Sequence, residues 1–158
     1  MQGTYEFMSD GILTAAECHD DYLQSPVDDL FSFYYTMQWA AAFHNQGLST
    51  KEAPSKLKML RGKLSGNQDS RSYVTSKIIA SPPLNPRDYG SYLVSCQPML
   101  RAWNSDLQDL LTDWNKCQLE LEGRKKNAEI YISIFLTFAV RGVATLAELV
   151  HKYTKDMD

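Results

Sequence analysis

The stretch Ser25 to His44, SPVDDLFSFYYTMQWAAAFH, limits what this chain can fold into more than any other. Its opening reads as a helix start. Ser25 suits the N-cap, Pro26 suits the first helical position, and Asp28 and Asp29 fall in the first turn, where the helix dipole favours negative charge. From Leu30 to Phe43 the only residues that are neither apolar nor aromatic are Ser32, Thr36 and Gln38, so no polar stripe is left to face water. A helix of that kind lies inside a larger core or inside a bilayer. The run is shorter than the ~20 residues a bilayer requires and carries two carboxylates in its first turn, which disfavours the bilayer. The expectation is a central helix, surrounded on every side, in an all-α domain.

A chain of 158 residues is long enough to bury such a helix. With 44% hydrophobic and 22% charged residues it has the balance of a globular protein. The net charge of −3 gives no electrostatic footprint for nucleic acid. Basic residues between Lys51 and Lys63 and at Arg124 to Lys126 have acidic neighbours close by and read as solvated helix faces. Cys18, Cys96 and Cys117 are odd in number, widely spaced and without a C-x-x-C, the pattern of reduced thiols in an intracellular protein, cytoplasmic or nuclear. The opening MQGTYEFMSDG has neither the basic nor the apolar region of a secretory signal.

Taken in order, the chain starts with a loop and a short helix bearing Ile12, Leu13 and Ala16. The central helix follows and ends near Asn45-Gln46-Gly47. Ser49 and Glu52 form a capping box for a surface helix that accommodates Pro54 in its first turn and buries Leu57, Leu60 and Leu64. After Gly66-Asn67, a helix over Ser70 to Ala80 turns Tyr73, Ile78 and Ile79 inward. Ser81 to Pro86 is a stiff linker, and Asn85 caps a helix begun by Pro86. The stripe Tyr89, Tyr92, Leu93, Cys96 and then Leu100, Trp103, Leu107, Leu110, Trp114 holds the helical period over several turns, with an interruption or kink expected at Pro98. A last helix, Asn127 to Tyr153, is densely apolar, but Arg141 in its middle disfavours a membrane span. Its apolar surface is a candidate for a partner or for oligomerisation.

No metal-ligand or nucleophile motif stands out. His19 beside Cys18 and Asp20-Asp21 gathers potential ligands without the paired spacings of a zinc site. The stretch Gly3-Thr4-Tyr5-Glu6-Phe7-Met8-Ser9-Asp10-Gly11-Ile12-Leu13 resembles the end of a protein-kinase activation segment, and Asp28-Asp29-Leu30-Phe31-Ser32-Phe33 is similar to the start of the long central helix of a kinase C-lobe. Together with Leu84-Asn85-Pro86 and Gln97-Pro98-Met99-Leu100-Arg101-Ala102-Trp103, these segments resemble the fungal-type protein kinases in particular.

The resemblance implies a helical C-lobe over residues 1–122, with residues 123–158 as a C-terminal helical extension. It implies that Asp29 is the aspartate that anchors the catalytic loop, and that Gly3, Thr4 and Phe7 belong to the substrate-positioning loop. Full-length relatives would use ATP and Mg to phosphorylate protein Ser or Thr. This chain carries no glycine-rich loop, β3 lysine, H-R-D-x-x-x-x-N or D-F-G, so the expectation is a pseudokinase-like fragment that binds no cofactor, is not catalytic by itself, and associates with a missing N-lobe or another protein. Gly11 stands where the A-P-E glutamate would be, so the ion pair that ties this segment to the lobe is expected to be lost. The alternative is a stand-alone helical interaction module.

Overall fold

A computed structural model describes residues 7–19, 22, 24–44, 53–65, 68–80, 82–122 and 128–155. Seven helices lie among them: α1 Asp10–Cys18, α2 Pro26–Phe43, α3 Ser55–Leu64, α4 Gln68–Ile79, α5 Pro86–Tyr89, α6 Ser91–Glu122 and α7 Ala128–Thr154. No strand occurs among the described residues, so the all-α class holds for them. The expected helix end at Asn45 to Gly47, the capping box of Ser49 and Glu52, the break at Gly66-Asn67 and the pair Asp20-Asp21 fall outside the described residues.

Helix α2 packs against α1, α3, α6 and α7, its most extensive contact being with α6. It buries Val27, Leu30, Phe31, Tyr34, Tyr35, Ala41 and Ala42. The larger aliphatic and aromatic side chains among them each contribute about 1.5 to 3 kcal/mol through removal from water, the alanines less. The expectation that α2 is covered on every side is corrected by the structure. Asp29, Phe33, Thr36 and Ala40 are all exposed, Phe33 to 56%. Their spacing of four, three and four residues places them on one face. A helix apolar all round reveals which faces tolerate burial, whereas actual burial requires a neighbouring segment, and among the described residues none covers this one.

The helices around α2 follow their apolar stripes, with local corrections. Helix α1 buries Ile12, Leu13 and Ala15, leaving Ala16 exposed. Helix α3 buries Leu57, Leu60 and Leu64 as expected, but starts at Ser55 with Pro54 in the N-cap position. The proline holds an extended backbone there and biases Ala53 away from helical geometry, so the helix starts later than the capping box implied. In α4 the buried residues are Arg71, Val74 and Ile78, while the expected Tyr73 and Ile79 face outward. Ile79 lies about 100° round the helix from Ile78 and falls on the uncovered side, and Arg71 is buried because of a partner distant in sequence.

Of the interruption or kink expected at Pro98, the interruption does not occur: α6 runs through it as one helix. Pro98 lies on the outer surface, and the stripe Leu93, Cys96, Leu100, Trp103, Leu107, Leu110, Trp114 is buried on both sides of it. That burial outweighs the ~3 kcal/mol a proline costs in a helix interior. Polar contacts fix the same region. Gln97 Nε2 donates to the Ile78 carbonyl at 2.8 Å and its Oε1 accepts from Leu84 N–H at 2.9 Å. Arg101 Nε donates to the same Ile78 carbonyl at 3.1 Å, and its Nη2 reaches the Ala80 carbonyl. The end of α4 and the proline-rich connection are therefore pinned to α6.

The last helix, α7, docks against α2 and α6, so the hydrophobic core continues past residue 122. Trp114 meets Tyr131, Phe135 and Phe138 edge-on, with ring centroids 6.1, 6.4 and 5.3 Å apart. Gly142 lies directly on Leu30, where an added Cβ would run into Leu30 Cδ1. Arg141 is not buried in apolar surroundings: it is exposed and donates to Asp113 of α6 at 2.7 Å. By length and composition alone α7 is apolar enough to cross a membrane.

Candidate functional site at the head of the central helix

The first turn of α2 carries adjacent aspartates with opposite environments. Asp28, only 4% exposed, closes a capping box with Ser25. The Asp28 N–H donates to Ser25 Oγ at 3.1 Å, while Oδ2 accepts from Ser25 N–H at 2.7 Å and from Ser25 Oγ–H at 2.8 Å. Tyr22 donates its phenol to the same Oδ2 at 2.7 Å, and Ser9 donates to Oδ1 at 2.5 Å. Ser9 is also the N-cap of α1, its Oγ accepting from Ile12 N–H at 3.2 Å. One carboxylate thus satisfies orphan donors at the start of α2 and fastens the start of α1 to it. Burial, followed by the hydrogen bond to Asp28 and its negative charge, raises the Tyr22 phenol well above the ordinary tyrosine range. Burial first and then Asp28 also raise Tyr131, which arrives from α7.

Gly11 belongs to this cluster. A Cβ at Gly11 would approach the Tyr22 hydroxyl to 2.7 Å and Asp28 Oδ1 to 3.4 Å, so the absence of a side chain makes room for the phenol. Gly11 itself has no side chain to form an ion pair, but its neighbour does. Asp10, one residue earlier, accepts from Arg71 Nη2 of α4 at 2.5 Å. The Arg71 side chain is 3% exposed and lies 4.1 Å above the Tyr35 ring, and Tyr35 OH donates to Asp10 Oδ2 at 3.3 Å. The Tyr35 phenol is raised chiefly by burial and then by Asp10, with Arg71 opposing. Neither Asp10 nor Arg71 announces this in sequence, since the pairing joins α1 to α4 across most of the intervening chain.

Asp29, in contrast, is exposed, and its Oδ1 accepts from Gln24 Nε2 at 2.5 Å. Its position leaves carboxylate lone pairs directed to solvent at the head of the open face formed by Phe33, Thr36 and Ala40. Phe7 packs edge-on against Trp39, ring centroids 6.3 Å apart, and Trp39 stacks on Phe43 at 4.2 Å. Arg61 covers Phe43 at 5.3 Å and donates from Nε to the Ala42 carbonyl at 2.7 Å. Phe7 and Asp29 are therefore not brought together: Trp39 lies ten residues beyond Asp29, about 15 Å along the helix. Gly3 and Thr4 fall outside the described residues. Among the described residues no three His, Cys, Asp or Glu side chains converge as ligands of a metal.

Chemically, the saturated Asp28 is a structural acceptor, while Asp29 is an acceptor open to a further donor. Comparisons with protein-family models, curated proteins and solved structures find no match to this chain.

Proposed function

We propose that this chain is the substrate-side helical lobe of a fungal-type protein kinase, separated from the nucleotide-binding part and not catalytic by itself. The observation that carries this reading is the open face of α2. Phe33, 56% exposed, and Ala40 are apolar surface that cover by another segment would remove from water, and Asp29 stands at the head of the same face. In the kinase reading that segment is the catalytic loop, whose backbone N–H groups Asp29 accepts. The Asp10–Arg71 ion pair supports the reading from a second side, because it ties the activation-segment-like stretch to the helices, the part played in the family by the ion pair of the A-P-E glutamate.

With no glycine-rich loop, β3 lysine, H-R-D-x-x-x-x-N or D-F-G in the sequence, the chain lacks the groups by which a kinase holds ATP phosphates and magnesium, and phosphoryl transfer would lack its electrostatic stabilisation. Thermal denaturation of the purified chain with and without Mg-ATP tests this. Unchanged melting is expected, and stabilisation by several degrees would overturn the reading. A second reading, a stand-alone helical interaction module, draws on the apolar outer surface of α7.

A further inference from the structure

In the interior between α2, α4 and α6, two polar groups of the central helix are left without partners. Tyr34 and Gln38 are both 0% exposed, yet Tyr34 Oη and Gln38 Oε1 make no hydrogen bond among the described residues. They stand four residues apart on α2, so their side chains leave the same face with Cβ atoms ~5 to 6 Å apart. Both reach Thr75 of α4. Gln38 Nε2 donates to Thr75 Oγ1 at 3.2 Å. Burial raises the Tyr34 phenol above its ordinary range and Tyr35 adds to this, while Asn104 of α6 and Thr75 oppose it as hydrogen-bonding neighbours, which sets both beside its hydroxyl. We propose that this junction of three helices binds one internal water molecule, which donates to Gln38 Oε1 and pairs with Tyr34 Oη.

The chemistry of the converging groups selects water. Buried polar atoms are nearly always paired in folded proteins, because an unpaired one costs more than a hydrogen bond gains. The amide cannot escape this by turning over. With Oε1 placed on the Thr75 hydroxyl, Nε2 becomes the atom left over, so one end of Gln38 lacks a partner in either orientation. A water molecule both donates and accepts, and buried waters typically make about three hydrogen bonds. Thr75 and Asn104, the latter 7% exposed, are at hand for the third.

An ion fits less well. The phenol, the two amides and the hydroxyl are all uncharged, and a buried charge without a counter-charge is costly. Arg71, one turn before Thr75 on α4, is already paired with Asp10. Bridged by water, the middle of α2 joins α4 and α6 through one satisfied polar network, which fixes how the three helices meet.

A crystal structure of the full chain, at a resolution that shows ordered water, tests the proposal. A water is expected within about 2.7 to 3.2 Å of both Tyr34 Oη and Gln38 Oε1. A refined map without a water touching both groups, whatever else they bond, overturns it. Magnetic relaxation dispersion of the water oxygen gives an independent reading in solution, since it counts long-lived internal waters. The double variant Tyr34→Phe with Gln38→Leu is expected to lose one such water while its helical circular dichroism is retained. A folded double variant with an unchanged count also overturns the proposal, and if that variant does not fold, the map of the unsubstituted chain decides alone.

Discussion

Two neighbouring carboxylates with the same side chain do different work here, and substitution separates them. Replacing Asp28 by Asn puts an NH₂ group against donors from Ser9, Tyr22 and Ser25 in a buried setting, with an expected loss of about 2 to 4 kcal/mol in urea denaturation. Asp29→Asn removes only an exposed contact and a favourable dipole interaction, so the expected change is within about 0.5 to 1 kcal/mol. Equal losses would contradict this division. The tyrosines give a second test. Tyr22, Tyr34 and Tyr35 have phenols raised, chiefly by burial, above the ordinary value of 10.0. Groups with a raised native value stabilise the fold fully below the unfolded value and lose that contribution as pH climbs through the native one. The urea midpoint is therefore expected to stay level up to about pH 10 on their account and to fall steadily above it. Tyr34→Phe and Tyr35→Phe should flatten that fall, and an unchanged slope would remove these phenols from the explanation.

At the scale of elements, the long regular helices were readable in advance and their exact faces only in part. Helix α2 starts, and α7 starts and ends, within a residue or two of where apolar periodicity and capping residues place them, whereas the helix expected from Pro86 stops at Tyr89 and α6 begins anew at Ser91. The buried stripe of α6 was legible because its partner residues are large and strictly spaced. The inward face of α4 was not, since burial of Arg71 depends on Asp10, and nothing local links the two. Pro98 does not end the helix for a related reason, its local penalty being outweighed by packing on either side. How α7 sits was also invisible in the sequence, because it turns on the fit of Gly142 over Leu30. Gly142→Ala makes that fit measurable. Helix propensity alone would stabilise the variant by about 1 kcal/mol, but crowding in a packed site costs about 1 to 3 kcal/mol. With Leu30 only 2% exposed, crowding wins, and a net loss of stability is expected in urea denaturation. A gain would mean that α7 does not rest on α2.

For the molecule as a whole, the central helix is expected to be enclosed, and among the described residues it is enclosed on all sides but one. The sequence showed that every face of α2 is suited to burial, and the chain supplies cover for most of them. The remaining face, with Phe33 more than half exposed and Asp29 at its head, is what links the fold to the proposed function. Within the candidate site, Asp29 was identified from a resemblance, Asp28 and Tyr22 emerged from geometry, and Gly3 and Thr4 lie outside the described residues. The account claims that a catalytic loop belongs on the open face of α2. The most direct measurement is the sequence of the transcript upstream of the Met1 codon. The account predicts H-R-D-x-x-x-x-N followed by D-F-G there, in frame or as remnants. Upstream sequence bearing no trace of either motif would contradict it.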